Sequence, residues 1–393
     1  MTVFLPAAGR FLLVVFLASL AGCSIFGGDD DEAVEPPTPL EELNPSVQLR
    51  RVLNTGIGKG GERLRLALRP LGDGARVYVA NAEGVVTAFD AETSERVWSQ
   101  NVGRLLSAGP GVGDGRVVVA GRDGVVAALN ALDGEPLWER NISGEVLAPP
   151  VLGGNRVFLR TVDGRLVALD SRSGTEQWFV EQPVPALTQR GVSEPVIVGT
   201  LVVAGFDNGR IVAASQSSGE VAWDLPLGIP AGRTDIERMV DSDGAIAASG
   251  NDLYLSGFQS RTAAIAAESG QALWARDLSS YAGVGLDYGS VYITLDNDRV
   301  VALGRTNGAQ QWSTDKFLRR KLTAPVVFGE YVVVCDFEGY VHLLSARTGV
   351  IAGRAKVGSD PIIMRPYVMG NTMYVQNVKG QLAGFEIIRA DSE

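Results

Sequence analysis

Few side chains in this chain could carry covalent or acid–base chemistry. The sequence contains one histidine, His342, and two cysteines, Cys23 and Cys335. Cys335 ends the run Tyr-Val-Val-Val-Cys, which has the pattern of a β-strand, and we expect its thiol to be a small buried apolar group. If Cys23 is modified, as its context predicts, no disulfide can form within the mature fold.

The context of Cys23 predicts a covalent lipid. Arg10 precedes an apolar run over residues 11–20, which is typical of a secretory signal and is short for a membrane span. The run ends in Leu-Ala-Gly before Cys23, as in a bacterial lipobox, where cleavage leaves the cysteine first and a lipid on its sulfur. An ordinary signal peptide with a chance cysteine is the alternative. We predict a signal peptide over residues 1–22 and a flexible acidic, proline-rich tether over residues 23–44.

The signal also bears on location and on partners. Ser24, rather than aspartate, follows Cys23, which in this class of signal implies sorting to the outer membrane. We therefore expect a lipid-anchored protein of the outer membrane that faces the periplasm. Acidic residues outnumber basic ones by 45 to 35, which argues against nucleic acid as a partner. The one compact basic run, residues 317–321, is expected to be a solvated loop.

Tryptophans mark an internal repeat along most of the chain. Their intervals are 40, 40, 45, 51 and 38 residues, and in five of the six copies a glycine lies four residues before the indole. The six are Trp98, Trp138, Trp178, Trp223, Trp274 and Trp312. Ser94 replaces the glycine in the first copy, and two degenerate units follow, one with Gly353 in place of the tryptophan. Four short strands per unit of about 40 residues predict a β-propeller.

The unit count predicts how the ring closes. Eight units can be aligned, but the last one begins at Gly380 and lacks its final strand. Residues 45–52 form a strand-like segment that is otherwise unused, although it could also be a flexible leader. We predict an all-β fold, an eight-bladed propeller of four-stranded antiparallel blades over residues 45–393, closed by this N-terminal strand. Each indole is expected to wedge between adjacent blades.

Extra residues in two of the intervals predict a binding surface. They follow Trp178 and Trp223, in the connections between blades, and should collect on one face of the ring. The first connection contains Leu187, Gln189 and Arg190. An arginine beside apolar side chains is common in protein interfaces, since a guanidinium can bind carboxylates or carbonyls with two hydrogen bonds.

The second connection carries the acidic pair Asp241 and Asp243. These carboxylates could accept hydrogen bonds from a partner, or they could pair with arginines of the same face and only shape it. A calcium site is a third interpretation, but the remaining spaced ligands and a terminal glutamate are absent from the pattern. We assign no metal, cofactor or catalytic residue.

The repeat resembles that of the quinoprotein dehydrogenases, which use pyrroloquinoline quinone (PQQ) and calcium in a central funnel. That resemblance implies a propeller and, as an alternative function, a quinoprotein-like enzyme or cofactor-binding propeller. The adjacent cysteine pair of those enzymes is absent, and His342 is the only histidine. A propeller that binds polysaccharide or mediates adhesion is a further alternative.

A second resemblance covers the lipobox, the eight degenerate units and both long connections. The chain is similar to the BamB family of propeller lipoproteins, in which the first connection reads Leu-x-Leu-Arg-Gly and the second contains Asp-x-Asp. Leu187, Arg190, Asp241 and Asp243 match, and Gln189 stands where the family has a second leucine.

This resemblance implies a non-catalytic scaffold of the outer-membrane β-barrel assembly (BAM) complex, without a cofactor. Its implied partners are the periplasmic POTRA domains of BamA, the other BAM lipoproteins and, less directly, unfolded outer-membrane protein strands that would add to exposed blade edges. Such edge pairing would be disfavoured if every outer strand were covered or bulged.

Overall fold

The computed structural model describes residues 35–61, 64–188, 193–228, 233, 240–242 and 244–389. The chain forms two compact units, Met1–Pro37 and Thr38–Glu393, and the first is described only at residues 35–37. All described strands lie in the second unit. Among the described residues no helix is long and apolar enough to cross a membrane.

The described strands form eight sheets, one for each blade of a propeller. Blade 1 contains β3 (Leu71–Gly72), β4 (Arg76–Ala80), β5 (Val85–Asp90) and β6 (Arg96–Asn101). Blade 2 contains β7 (Leu106–Gly113), β8 (Arg116–Gly121), β9 (Val125–Asn130) and β10 (Pro136–Asn141). A short strand, β2 (Ala67–Leu68), adds to β7 in parallel, so this sheet has five strands rather than the predicted four.

Blades 3 to 5 repeat the four-stranded antiparallel order. Blade 3 contains β11 (Val151–Gly153), β12 (Arg156–Arg160), β13 (Arg165–Asp170) and β14 (Glu176–Glu181). Blade 4 contains β15 (Val196–Val198), β16 (Leu201–Gly205), β17 (Arg210–Ser215) and β18 (Val221–Pro226). Blade 5 contains β19 (Ala247–Ser249), β20 (Asp252–Ser256), β21 (Thr262–Ala266) and β22 (Ala272–Arg276).

Blades 6 to 8 complete the ring. Blade 6 contains β23 (Val284–Leu286), β24 (Ser290–Thr294), β25 (Val300–Gly304) and β26 (Gln310–Thr314). Blade 7 contains β27 (Val326–Phe328), β28 (Tyr331–Cys335), β29 (Tyr340–Ser345) and β30 (Ile351–Lys356). Blade 8 contains β31 (Tyr367–Met369), β32 (Thr372–Gln376), β33 (Gln381–Arg389) and, as its outer strand, β1 (Val47–Gly56).

The N-terminal strand closes the ring as predicted. β1 runs antiparallel to β33, with Val47 opposite Arg389 and Gly56 opposite Gln381. A chain segment from the start of the unit thus pairs with one from its end. The pairing completes the last blade by main-chain hydrogen bonds with a strand that precedes blade 1 in the sequence, and this closes the ring.

Indole rings link neighbouring blades, which confirms the predicted wedge. In each of the six copies the Nε1–H of the tryptophan donates to a main-chain carbonyl in the turn before the outer strand of the next blade, over 2.7–3.1 Å. The six bonds run from Trp98 to Ala131, Trp138 to Ser171, Trp178 to Gln216, Trp223 to Ala267, Trp274 to Arg305 and Trp312 to Ala346. Each indole therefore satisfies its buried donor while it fills the gap between two sheets.

The repeated glycine lies against the indole of the preceding blade. Its φ is positive, as in Gly308 at +63°, and a Cβ added there would lie 2.6 Å from the Trp274 ring. The corresponding glycines that meet a tryptophan ring are Gly134, Gly174, Gly219, Gly270, Gly308 and Gly349. Both the left-handed backbone and the close ring exclude a side chain at this position. Ser94 adopts the same conformation, with a φ of 61°, but faces blade 8, which has no indole.

The missing tryptophan of blade 7 has a structural cause. Blade 8 receives its outer strand from the N-terminus and therefore offers no glycine turn to a preceding indole. The start of β1 occupies that space instead: Ser46 N donates to Ala352 O over 2.9 Å, and a Cβ on Gly353 would lie 2.7 Å from Val47 O. Gly353 makes room for the strand that closes the ring.

The compact unit that contains the propeller starts earlier than the predicted boundary at residue 45. Thr38 N donates to Leu318 O over 3.0 Å, and Leu40 packs against the apolar cluster that contains Phe317 and Leu322. Residues 38–44, predicted to be part of a flexible tether, therefore belong to the same compact unit as the propeller.

The predicted solvated loop at residues 317–321 is partly buried. Arg320 is 3% exposed, and its guanidinium binds Asp336, which is fully buried, at 2.7–2.8 Å. His342 Nε2 lies 3.0 Å from the same carboxylate, and Arg354 Nε donates to His342 Nδ1 over 3.2 Å. Because Nδ1 accepts a hydrogen bond, the geometry requires a neutral imidazole with its proton on Nε2. The prediction for Cys335 is confirmed, since it is fully buried and burial raises the pKa of its thiol.

Substitution of Gly308 should test the contact between glycine and indole. We expect Gly308→Ala to lower the thermal midpoint, because a left-handed alanine costs about 1–2 kcal/mol before any displacement of the Trp274 ring. The matched control is Ser94→Gly, in the same turn of blade 1, which should raise the midpoint slightly. Differential scanning calorimetry measures both. Equal and small effects of opposite sign would show that only backbone conformation matters and that the ring contact contributes nothing.

The environment of His342 predicts a pH dependence of stability. Burial lowers the pKa of His342, as do the charges of Arg354 and Arg320, although Asp336 opposes them; the rings of Phe317 and Tyr340 pack beside it. The unfolded chain binds a proton at this histidine near pH ~6.5 and the folded chain only at lower pH. The stability that the neutral ring contributes is thus complete above this pH and is lost as the pH falls towards the folded pKa.

We therefore expect the thermal midpoint of the native protein to fall more between pH 7.5 and 5.5 than that of His342→Val. Valine occupies the equivalent register position in blades 3, 4 and 6, at Val167, Val212 and Val301. The remaining carboxyl groups titrate in both proteins, so the difference reports on the histidine and its hydrogen-bonded partner Asp336. Parallel pH profiles for the two proteins would contradict the assigned neutral state.

Candidate functional site

The propeller has two faces that differ in their loops. The connection face carries the segments that join one blade to the next and the turns between second and third strands. Its connecting segments are residues 102–105, 142–150, 182–195, 227–246, 277–283, 315–325 and 357–366. The hairpin face carries the other turns. Those before the outer strands are residues 91–95, 131–135, 171–175, 216–220, 267–271, 305–309 and 346–350. The two longest connections, 182–195 and 227–246, lie on the connection face, where the sequence placed the extra length.

Leu187 is an apolar side chain presented to solvent on the first long connection. It is 48% exposed, on a segment that leaves β14 and returns to β15. Gln189 and Arg190 lie outside the described residues, as do Asp243 of the second connection and Cys23. Their predicted roles stay predictions.

Asp241 is buried, whereas a residue that contacts a partner must be accessible. It is 2% exposed, and its main chain exchanges hydrogen bonds with Phe258, Asp241 N to Phe258 O over 3.3 Å and Phe258 N to Asp241 O over 2.8 Å. Its neighbour Ser242 is fully buried, and Ser242 O lies 1.9 Å from where a Cβ on Gly205 would be. The segment is therefore wedged against blades 4 and 5. This position favours the interpretation that Asp241 shapes the surface.

A partly buried ion cluster holds the end of the first long connection. Glu194 Oε2 accepts from Arg365 over 3.0 Å, and its Oε1 accepts from Arg69, which is 4% exposed. Although burial raises the pKa of Glu194, the two guanidinium charges outweigh it and lower that pKa. The carboxylate is thus ionised at neutral pH. It ties the connection between blades 3 and 4 to segments at blades 1 and 8, across the centre of the ring.

The sequence did not reveal this cluster. Glu194 lies inside the motif that predicted the site, but its partners are 125 and 171 positions away. Only the circular arrangement of the blades brings them together. The sequence offered one signal for this cluster, the acidic residue Glu194 within the first long connection. That signal did not identify the arginines it binds.

A cavity of about 430 Å³ opens at the mouth of the central channel on this face. Residues from most of the blade connections line it, among them Arg65, Glu194, Asp241, Tyr281, Lys321 and Arg365. The ion cluster, the buried residues near the end of the second connection and the cavity therefore form one continuous surface. Among the described residues no three His, Cys, Asp or Glu side chains are placed to hold a metal ion.

The outer edges of the blades are irregular. In each of the eight blades the pairing of the third with the outer strand shifts register at a β-bulge, as between Ala88 and Phe89 in blade 1. In blade 8 the shift lies between Arg51 and Leu53, in β1 itself. Bulged edges are poor templates for an added strand. This geometry counts against the pairing of unfolded client strands with the blade edges.

Comparison with known proteins places the chain among assembly factors. A family model described as outer membrane protein assembly factor BamB matches residues 82–314 and 297–391. The protein of that name from Pseudomonas aeruginosa is 43% identical over 375 residues, which cover 95% of this chain and 98% of the relative. The one from Alkalilimnicola ehrlichii is 44% identical over 349 residues, or 89% of this chain and 91% of the relative.

Solved structures agree with the fold. The crystal structure of BamB from Moraxella catarrhalis superimposes with a TM-score of 0.76 at 26% identity, covering 85% of this chain and all of that one. Quinohemoprotein alcohol dehydrogenase from Comamonas testosteroni has a TM-score of 0.69 at 13% identity, covering 89% and 78%, and shares the fold alone. The matched family model and the identity to full-length relatives together show that this chain belongs to the outer membrane protein assembly factor BamB family.

Proposed function

We propose that this protein is a non-catalytic scaffold of outer-membrane protein assembly that binds the periplasmic POTRA domains of BamA through its connection face. The single observation that carries the proposal is the exposed Leu187 on a long connection whose end is held by the ion cluster of Glu194. An exposed apolar side chain on a loop whose end is anchored is suited to a protein partner, because apolar side chains anchor many protein interfaces. Relatives with the name outer membrane protein assembly factor supply the context.

The proposed partner-binding residues have different chemical roles. Leu187 provides apolar area, and Arg190 provides a guanidinium for carboxylates or main-chain carbonyls of the partner. Gln189 makes the apolar part of this contact smaller than a leucine would. Asp243 is proposed to accept hydrogen bonds from the partner, and Asp241 to hold the loop that presents it, since Asp241 is buried.

Lipidation of Cys23 would hold this scaffold at the periplasmic side of the outer membrane. Several acyl chains on one residue anchor a protein stably, because each buried methylene contributes about 0.8 kcal/mol. Anchoring would raise the local concentration of the scaffold near membrane-embedded partners. The other BAM lipoproteins are proposed as further members of the same complex.

Arg190→Ala should weaken recovery of BamA in an affinity purification from solubilised outer membrane, while the thermal midpoint stays unchanged. The matched control is Arg172→Ala, an exposed arginine of the hairpin face, which should change neither quantity. Glu194→Gln should lower both, because it leaves Arg69 and Arg365 without their carboxylate. Undiminished recovery with Arg190→Ala, or a midpoint that falls as much as recovery does, would contradict the assigned role.

A further inference from the structure

We propose that the cavity at the mouth of the central channel binds an apolar carboxylate, that is, a molecule or chain end that carries one carboxylate on an aliphatic or aromatic body. The apolar body occupies the cavity, and the carboxylate binds Arg65 and Lys321, which line it. This inference goes beyond the proposed scaffold function, which requires no small ligand.

The cavity has the size and the lining of a ligand site. Its volume of about 430 Å³ lies within the range of about 300–1,000 Å³ that is usual for small-molecule pockets. Most of the side chains that line it are apolar, and three of them, Leu66, Leu147 and Ile362, are each no more than 5% exposed. A ligand with an apolar body would therefore remove apolar surface from water on both sides of the contact.

Main-chain pairing holds two walls of the cavity in place. Ala67 lies in β2, which pairs in parallel with β7 and places Ala67 opposite Ala108. On another wall Ala245 forms a parallel bridge with Gly283, and Ala245 O accepts from Val284 N over 3.0 Å. Ala67 and Ala245 both line the cavity. These walls are thus formed before a ligand arrives, as is usual in small-molecule sites.

The accessible charges of the lining are positive. Arg65, from the segment before blade 1, and Lys321, from the connection 315–325, are both exposed. The carboxylate of Glu194 is only partly exposed and accepts from Arg365, another residue of the lining. Asp241 is 2% exposed. A ligand that enters from solvent therefore meets two cationic side chains at the surface of the cavity, although the whole chain has a net charge of −10.

The backbone at Lys321 supports a binding role for this turn. Lys321 has a φ of 52°, and Asp298, with a φ of 66°, accepts its N–H over 2.8 Å. Left-handed residues other than glycine are uncommon and are found often at ligand sites. The preceding residue, Arg320, has its guanidinium on the buried Asp336. The turn thus commits one cation to the interior of the blade and leaves the next one beside the cavity.

The two cations favour a carboxylate as the charged group. The guanidinium of Arg65 can bind a carboxylate with two parallel hydrogen bonds, and the ammonium of Lys321 adds a compact positive charge. Two sources supply a carboxylate on an apolar body: a fatty acid, and the C-terminus of a peptide whose last residues are apolar. Both present the same chemistry to the cavity, so the experiment must distinguish them.

Isothermal titration calorimetry on the purified full-length protein in lipid nanodiscs tests the site, with empty nanodiscs as the blank. The probes are octanoate and N-acetyl-leucyl-phenylalanine, each compared with its neutral amide. We expect saturable binding at one site, with each acid bound about fivefold more tightly than its amide, since two exposed cations contribute modestly. Tighter binding of octanoate would support the site and assign a lipid source, whereas tighter binding of the peptide acid would support it and assign a chain end.

Removal of the two cations tests the charged part of the site. Arg65→Gln together with Lys321→Gln should abolish the preference for acid over amide and leave the affinity for the amides unchanged. The matched control is Arg172→Gln together with Arg347→Gln, two exposed arginines in turns of the hairpin face, which should keep the preference. Equal affinity for acid and amide in the native protein, or a preference that survives loss of both cations, would overturn the proposal.

Filling of the cavity tests the apolar part. Met364→Trp enlarges a side chain of the lining and should abolish binding of both acids. Ile363→Trp, at a position that is 39% exposed, serves as the filling variant if Met364→Trp lowers the thermal midpoint. Absence of saturable binding to the native protein, or undiminished binding after filling, would overturn the site. No BamA is present in these titrations, so their failure leaves the recovery of BamA as a separate result.

Discussion

Closure of the ring is the constraint on which the rest of this structure depends. Each blade is a small twisted sheet that cannot bury its own faces, so it is stable only between two neighbours. Indoles join most neighbours by one hydrogen bond and one close contact with a glycine, as Trp274 does with Gly308. Where blades 7 and 8 meet, the start of β1 takes the place of the indole, and β1 pairs with β33 to close the ring.

Closure of the ring also explains which features could be predicted from the sequence and which could not. The blades were predictable because strand alternation, turn glycines and tryptophans recur locally, and because the unpaired last unit required a strand from elsewhere. The contacts of Glu194 with Arg69 and Arg365 could not be predicted, because closure of the ring brings together residues that no local sequence pattern connects. The burial of Asp241 could not be predicted either, because it depends on close approach to blades 4 and 5.

Two features account for the proposed function: the two faces of the ring differ in loop length, and the long connections are held to the blades. The hairpin face is built from short turns of nearly constant length, whereas the connection face varies from four residues at 102–105 to the long segments 182–195 and 227–246. The ion cluster at Glu194 and the wedged Asp241 hold both long segments at defined points. The first of these segments presents Leu187 to solvent, where a partner can contact it.

The central claim is that the connection face is the docking surface. It is tested most directly by photo-crosslinking in intact cells, with a photoreactive amino acid at position 187 or, on the hairpin face, at position 132. Identification of the adducts by mass spectrometry should give a BamA product from position 187 and none from position 132. A BamA product from position 132 alone, or equal products from both positions, would contradict the account.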